Sequence, residues 1–234
     1  MTGTKLDVRV YPIDEPKGDT RAFASVAIDD LVAIRGLRVV GSKKGLFVSM
    51  PQSQDKEGVF HDMAFPLSGD LRKEVSRAVL GEYKAVASLP PEQRGYETPD
   101  MSAADHVKVE KIKLDIRVYP IEDPDGSTKA FASVAISDLA AIRGVRVVDG
   151  ENGLFVSMPQ SQDYKGLFHD VAFPLSGDLR KEISKGVLEK FKVETSLDRK
   201  PSLGERLAEG AQKAAGHVAP ARSVAKSHHA GALE

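Results

Sequence analysis

Hydrophobic and polar residues alternate at the start of the chain in the pattern of a half-buried strand. The alternation over residues 6–11 predicts a first strand, and apolar runs predict further strands at residues 22–28, 34–40, 46–50 and 59–65. Turn-forming segments rich in glycine, proline and charged residues separate these runs. The polar run over residues 51–58, just before the last of these strands, is predicted to be a loop. The pattern therefore predicts a small sheet built from short strands.

A helix is predicted to follow the last strand. Ser68 is the expected N-cap residue, and Asp70 is favourable in the first turn because the helix dipole is positive there. Apolar residues at helical spacing form a stripe that would pack on the sheet: Leu71, Val75, Ala78, Val79 and Tyr83. A run of strands followed by one helix predicts an antiparallel sheet covered on one face, which is an α+β domain.

The whole pattern occurs twice. Residues 5–84 match residues 113–192 without a gap, and most of the paired positions are identical. The period is too long for a solenoid repeat, so each copy is expected to be a domain with its own core. The fold class predicted for the chain is therefore α+β, as two tandem copies of a small antiparallel β-sheet domain with a C-terminal helix.

Four segments are predicted along the chain. They are a first repeat (1–86), a linker (87–112), a second repeat (113–194) and a tail (195–234). The linker is polar and contains proline, as exposed linkers do. The tail has weak helical spacing over residues 203–216 and a composition typical of disorder beyond them. The adjacent His228 and His229 could bind a metal, but an unstructured terminal pair without a role is the favoured interpretation.

The duplication suggests how the two repeats pack. A single sheet covered by one helix leaves an edge strand with unpaired backbone groups, which favours pairing with another sheet. A second copy in the same chain supplies that partner at high effective concentration. We therefore expect the two repeats to pack together as a pseudo-two-fold dimer. Two separate domains on a long linker are the alternative.

Composition excludes several classes of function. The chain has 234 residues with a formal net charge of −1 and a pI of about 6.6, which argues against a strongly basic nucleic-acid binder but allows a local basic patch. Because there is no cysteine, disulfides, thiol nucleophiles and thiolate zinc sites are excluded. No apolar stretch approaches the roughly 20 residues of a membrane helix, and the N-terminus lacks a signal-like apolar segment. A soluble cytoplasmic protein with no membrane partner is expected.

Two motifs, each present in both repeats, resemble the stage V sporulation protein G (SpoVG) septation-regulator family. The first is GLFVSMP at residues 45–51, repeated at 153–159. The second begins GVFHDMAFPL at residues 58–67 and returns as residues 166–175. Residues 33–40 are similar to the strand that precedes these motifs in the family. The resemblance covers both repeats and leaves the linker and the tail unmatched.

The resemblance implies a small bacterial regulator that forms a homodimer in single-domain members, is linked to septation and sporulation, and binds DNA and RNA. In the family, nucleic-acid contacts are associated with a Lys-Arg pair in the loop after the fourth strand. The corresponding residues here carry no charge, and they are Ser53 and Gln54 in the first repeat and Ser161 and Gln162 in the second. The family's arginine before the next aspartate corresponds to His61 in the first repeat and His169 in the second.

Basic residues elsewhere in each repeat are the remaining candidates for phosphate contacts, because lysine and arginine release counterions when they neutralise phosphates. In the first repeat they are Arg35, Arg38, Lys43, Lys44, Lys56, Arg72 and Lys73. In the second repeat they are Arg143, Arg146, Arg180 and Lys181. The Lys43-Lys44 pair is replaced by Glu151-Asn152, so the first repeat is expected to dominate any binding. Ordinary solvation of charged residues is the alternative interpretation.

The third strand poses a geometric question. Arg35 and Arg38 are three residues apart, which places them on opposite faces of a regular strand. A bulge at Gly36 would shift the register and bring both onto one face. The sequence therefore predicts a shared basic patch only if Gly36 is a bulge.

The sequence favours a non-enzymatic function. His61 stands beside Asp62, but adjacent residues of a strand face opposite ways and cannot form a base–orienter pair. Neither GxGxxG nor GxxxxGK[ST] occurs, and no histidine or carboxylate spacing suggests a metal site, so no cofactor is expected.

The leading hypothesis is a regulator that binds DNA or RNA. The alternative is a protein-interaction module that has lost nucleic-acid binding and acts through its sheet surface, with protein partners. A small-ligand binder has no supporting motif.

Overall fold

The computed structural model describes residues 3–94, 112–122, 124–162 and 166–198, with side chains described as far as residue 196. The predicted tail helix at residues 203–216 and the His228-His229 pair lie outside the described residues, as does most of the predicted linker. Neither of the two described helices is long and apolar enough to cross a membrane.

The first repeat is strand-rich and ends in a helix, as its hydrophobic pattern predicts. Its elements are β1 (Leu6–Pro12), β2 (Thr20–Ile28), β3 (Val32–Ser42), β4 (Gly45–Ser49), β5 (Gln52–Gln54), β6 (Phe60–Asp62), β7 (Ala64–Pro66), α1 (Gly69–Ala87) and a short 3-10 turn (Pro91–Gln93).

The second repeat has the same order of elements. They are β8 (Leu114–Pro120), β9 (Thr128–Ile136), β10 (Ala140–Gly150), β11 (Gly153–Ser157), β12 (Gln160–Gln162), β13 (Phe168–Asp170), β14 (Ala172–Pro174) and α2 (Gly177–Asp198). In each repeat the first four strands form an antiparallel meander. Two antiparallel sheets, each followed by a helix, confirm the predicted α+β fold.

The two repeats exchange their short strands β7 and β14. Strand β7 of the first repeat pairs with β10, so that Ala64 lies opposite Ile142. Strand β14 of the second repeat pairs with β3, so that Ala172 lies opposite Ile34. Packing of the two repeats with approximate two-fold symmetry stays a prediction. It can be tested by asking whether β7 pairs with β10, and β14 with β3, in solution.

The single strand predicted at residues 59–65 is wrong, because Met63 interrupts it. The Met63 backbone N–H donates to the Pro51 carbonyl at 2.8 Å, which closes the small β5–β6 hairpin. The chain then leaves its own repeat as β7. Gln52–Gln54, predicted to be loop, is therefore one strand of that hairpin.

Helix α1 packs its predicted stripe on the sheet. Leu71, Val75 and Val79 are buried in the core, with Tyr83 partly buried against it. The predicted cap is confirmed, since the Ser68 hydroxyl accepts a hydrogen bond from the Leu71 N–H at 3.0 Å. Such a cap contributes about 1 kcal/mol to stability. In α2 the hydroxyl of Ser176, which is buried, takes the same role for Leu179 at 3.2 Å.

The contact between helix and first strand differs between the repeats at one matched pair. In the second repeat Gly186 of α2 faces Ile116 of β8, and a Cβ on this glycine would lie 2.6 Å from the Ile116 Cδ1. In the first repeat the same positions hold Ala78 and Val8. The larger helix residue is thus matched to the smaller strand residue, so that the two repeats fill the same space in different ways.

Candidate nucleic-acid interface

A bulge at Gly36 brings the two arginines of β3 onto one face. Arg35 pairs with Ser25 and Arg38 with Phe23, and the register shifts by one residue between these pairs. Ser25 and Phe23 are two apart on β2 and share a face, so their partners do as well. Gly36 has a φ of 74°, the left-handed region that glycine adopts most easily. The bulge on which the sequence prediction depended is therefore present.

The second repeat has the same bulge. Gly144 has a φ of 73°, and the register of β10 against β9 shifts between Arg143 and Val145. Arg143 pairs with Ser133 and Arg146 with Phe131, which again places both arginines on one face. This surface, on the side of each sheet that faces away from its helix, is called the outer face below.

Each outer face receives one aromatic ring from the exchanged strand. The Arg35 guanidinium lies 4.7 Å from the centre of the Phe173 ring, and the Arg143 guanidinium lies 4.8 Å from that of Phe65. Both distances are within the range of a cation–π interaction, which contributes about 0.5–1 kcal/mol at exposed sites. The pairing of arginine with phenylalanine was not predicted from the sequence, because it depends on which repeat β7 and β14 join.

Aromatic residues extend across the outer face. In the first sheet Tyr11, Phe23 and Arg38 lie side by side on β1, β2 and β3. In the second sheet Tyr119 and Phe131 hold the same places and are 54% and 47% exposed. Sequence reasoning placed these residues on strands but gave them no role. The signal that could have identified them is the alternation itself, which points large aromatic residues away from the core.

A groove of about 390 Å³ crosses the outer face of the second repeat. Its floor consists of small residues on the central strands, Ser133, Ala135 and Ala141. One wall carries Asp115, Arg117 and Tyr119 from β8, and the other carries Phe65, Leu67 and Arg143. The exchanged strand β7 therefore completes the groove with a residue of the first repeat.

The hairpin tip between β3 and β4 presents Lys43 and Lys44 to solvent. The Ser42 hydroxyl donates to the Gly45 carbonyl at 2.8 Å and accepts from the Lys44 N–H at 3.2 Å, which holds the turn in place. In the second repeat the same tip presents Glu151 and Asn152, also exposed. The difference in charge predicted from the sequence thus falls on solvent-facing residues.

The positions that correspond to the family's basic pair lie in the β5–β6 hairpin and its copy. Ser53 and Ser161 are exposed. The Gln54 amide donates to the Gly58 carbonyl at 3.0 Å, and the Gln162 amide repeats this bond at 3.0 Å. Both glutamines therefore stabilise the hairpin turn. Lys56 is exposed at the tip of the first of these hairpins.

His61 pairs with a partner that sequence reasoning missed. Its Nε2 lies 2.6 Å from the Asp55 carboxylate, across the hairpin turn. The other carboxylate oxygen of Asp55 accepts backbone N–H groups of Val59 and Glu57, each at 2.9 Å. The hydrogen bond from His61 is the main cause that lowers the pKa of Asp55, and the two backbone N–H groups add to it. The matching Asp163 lies outside the described residues.

The candidate basic residues on the helices are close to carboxylates. Arg72 lies 2.8 Å from Asp62, and in the second repeat Arg180 lies 3.1 Å from Asp170. The lysines form exposed pairs one turn apart, Lys73 with Asp70 at 3.3 Å and Lys181 with Asp178 at 3.1 Å. These carboxylates reduce the positive field of the helices, so the strand arginines and the lysine tip remain as the less neutralised candidates.

Among the side chains that the structure describes, no group of three or more histidine, aspartate or glutamate residues is placed to hold a metal ion.

Comparison with known proteins gives matches along both repeats. The family model for SpoVG matches residues 4–85 and 111–193. The chain is similar to the SpoVG septation protein of Myxococcus xanthus, with 38% identity over 78 residues, which cover 33% of this chain and 77% of the relative. It is also similar to that of Staphylococcus carnosus, with 33% identity over 94 residues, covering 40% of this chain and 87% of the relative. The relative in Symbiobacterium thermophilum is 29% identical over 136 residues, covering 57% of this chain and 91% of the relative.

Proposed function

Because the chain belongs to the SpoVG family, we propose that it is a non-enzymatic regulator of septation and sporulation that acts by binding DNA or RNA. The names of its relatives support the link to septation. The observation that carries nucleic-acid binding is the repeated bulge. Gly36 and Gly144 each bring two arginines onto one sheet face. Four guanidinium groups can therefore contact phosphates, although the family's basic pair is replaced by the uncharged Ser53 and Gln54.

The hairpin tip adds to this binding in the first repeat alone. Lys43 and Lys44 are exposed, whereas Glu151 in the second repeat would repel a phosphate. The overall charge of the chain is near zero, so binding must depend on such local groups. Affinity is therefore expected to fall steeply as salt rises.

A salt titration with variants at the tips tests the proposal. Lys43→Glu combined with Lys44→Asn gives the first tip the charge of the second. We expect this variant to make the plot of log affinity against log salt shallower, reducing the magnitude of its slope by up to about 2. The reciprocal pair Glu151→Lys and Asn152→Lys should make the plot steeper. Fluorescence anisotropy with labelled single-stranded DNA, duplex DNA and RNA measures both effects.

Lys181→Glu is the matched control, because Lys181 is an exposed helix residue already paired with Asp178. It should change the slope less than the tip variants do. If no nucleic acid binds at low salt, the proposed binding is wrong.

A protein-interaction module is the second candidate function. The observation that favours it is that the two small hairpins each expose a phenylalanine ring, since Phe60 is 60% and Phe168 is 65% exposed. Large apolar side chains with this exposure are common at protein interfaces. Absence of nucleic-acid binding in the titration above, together with loss of a protein partner on Phe60→Ser and Phe168→Ser, would favour this candidate.

A further inference from the structure

The two outer faces carry the same set of aromatic and arginine residues. The first face has Tyr11, Phe23, Phe47, Phe173, Arg35 and Arg38, and the second has Tyr119, Phe131, Phe155, Phe65, Arg143 and Arg146. Phe47 and Phe155 belong to this face because the residues that follow them, Val48 and Val156, pack on the core. Each face therefore presents aromatic rings interleaved with guanidinium groups.

These rings are exposed to an unusual degree. Phe23, Phe131 and Phe155 leave about half of their surface in contact with water, although phenylalanine is among the residues most often buried. Neighbouring exposed rings on one sheet face are typical of a surface that binds something. The arginines interleaved with them indicate that this ligand has both apolar faces and negative charge.

The groove of the second repeat has a shape suited to a planar group. Its floor of Ser133, Ala135 and Ala141 is low because these side chains are small, while Tyr119 and Phe65 rise on either side. Ala135 and Ala141 lie directly opposite each other on neighbouring strands, so the floor is continuous. An unstacked nucleic-acid base is planar and has a π-face that stacks on aromatic side chains.

The charges around the groove favour an anion. Arg117 and Arg143 stand on opposite walls and Arg146 stands beside Phe131, while the carboxylate of Asp115 lies 3.6 Å from Arg117. Arginine is therefore in excess on this face. A sugar-phosphate backbone that follows the strands would place phosphates near these guanidinium groups, as in proteins that bind single strands through a cationic groove lined by aromatic rings.

We propose that the outer face of each sheet is a stacking platform for single-stranded nucleic acid. Unpaired bases stack on Tyr119 and Phe131, and Arg143 and Arg146 contact the backbone. This inference rests on the proposed nucleic-acid binding and specifies its surface and the form of its ligand. A duplex is a poor ligand for this surface because its bases are already stacked and paired.

Substitution of matched phenylalanines tests the platform in the full-length chain. Phe23→Leu with Phe131→Leu removes a ring from each face and keeps an apolar side chain. We expect affinity for short single-stranded DNA or RNA to fall by about tenfold or more, because each stacked base contributes substantially to binding. Affinity for duplex DNA should not change. Comparison of the DNA with the RNA strand identifies which backbone is preferred.

The control is Phe60→Leu with Phe168→Leu. These rings are at least as exposed as those of the platform, but they lie on β6 and β13, outside the two large sheets. Their loss should leave single-strand affinity unchanged. Circular dichroism melting curves should be alike for the two double variants, which separates an effect on binding from an effect on folding.

A fluorescence experiment reports stacking without relying on lost affinity. The chain has no tryptophan, so Phe131→Trp introduces a single indole on the platform. Its emission should be quenched when a single strand is added, since a base stacks on the ring. Phe168→Trp is the matched control and should show no quenching.

The outcomes separate the two proposals. If the unmodified chain binds single strands but the Phe23 and Phe131 variant binds them equally well, with no quenching at Phe131→Trp, the platform is wrong and the proposed function stands. The same conclusion follows if only duplex DNA binds, in a manner that depends on Lys43 and Lys44. If no nucleic acid binds at low salt, the proposed function is wrong and the platform with it.

Discussion

The first and second repeats agree on the outer face and differ at the hairpin tip and at several core positions, among them one matched contact between helix and strand. Arginines and aromatic rings occupy the same places on both faces, whereas Lys43-Lys44 at one tip becomes Glu151-Asn152 at the other. In the core, Ala78 against Val8 becomes Gly186 against Ile116. The core difference is compensated within the pair, while the tip difference changes the local charge from basic to acidic.

The outer faces also differ in accessibility. The Arg9 side chain is 35% exposed, whereas its counterpart Arg117 is 69% exposed, and Tyr119 is likewise more exposed than Tyr11. The first repeat thus combines the basic tip with the more covered face, and the second combines the acidic tip with the more open face. The basic tip and the more exposed tyrosine of the outer face therefore belong to different repeats, whereas Phe23 and Phe131 are equally exposed at 47%.

The largest expected effect concerns whether the repeats are independent. Phe65 lies opposite Ala141 of the other repeat, so Phe65→Cys with Ala141→Cys should form a disulfide in nearly all molecules. The chain has no other cysteine, so the bond can be assigned without ambiguity by mass spectrometry of the digested, unreduced protein.

Its matched control is Phe65→Cys with Ala33→Cys. Ala33 faces Phe173 in the exchanged arrangement, and it would face Phe65 only if each repeat closed on its own β7. A disulfide that forms in the control and not in the first variant would show that the strands are not exchanged.

An effect of intermediate size is expected in the core. Alanine is about 1 kcal/mol better than glycine within a helix, but the Gly186→Ala Cβ would press on Ile116. We expect Ile116→Val to relieve this contact. The free energy of unfolding of the variant with both changes should then exceed the value expected from adding the two single changes by about 1 kcal/mol. Urea unfolding of the four proteins measures the coupling. The reverse exchange, Ala78→Gly with Val8→Ile, is the control in the first repeat. Free energies that add within about 0.3 kcal/mol would contradict the compensation.

The smallest expected effect is local and depends on pH. Folding lowers the pKa of Asp55 from its ordinary 3.8, chiefly through the hydrogen bond from His61. A carboxylate with a lowered pKa stabilises the fold at pH above its ordinary value, and this contribution is lost as the pH falls through the lowered value. The amide resonance of Val59, whose N–H donates to this carboxylate, should therefore shift as the pH falls below 3.8.

Asp55→Asn is the control for this titration, because it removes the ionisable group and should abolish the shift of the Val59 resonance at low pH. An unchanged titration in that variant would assign the effect to another group.

Much of the fold could be predicted from local sequence patterns. The strand alternation, the Ser68 cap, the helix stripe and the bulge at Gly36 each depend on residues close together in the chain, and each is found in the structure. The partner of β7 could not be predicted in this way. Ala64–Pro66 has the same pattern whether it pairs with its own repeat or with the other, because the two candidate partner strands are nearly identical.

The candidate site was predictable only in part. Arg35 and Arg38 could be placed on one face once a bulge was considered, but Phe173 reaches Arg35 only through the exchanged strand. The pairing of His61 with Asp55 was missed because residues 51–58 were interpreted as a loop, whereas a hairpin brings these side chains together. Contacts that arise from tertiary pairing leave little trace in the local pattern.

The exchange of β7 and β14 has a consequence for synthesis on the ribosome. Strand β3 is made early, yet the strand that covers part of its edge, β14, emerges only near the end of the second repeat. Until then a nascent chain carries an uncapped strand edge that can join another chain, the hazard that edge strands pose during folding. On crowded polysomes β3 of one nascent chain would therefore be able to pair with a strand of a neighbouring chain. Slow translation of the second repeat would lengthen the time during which this can occur.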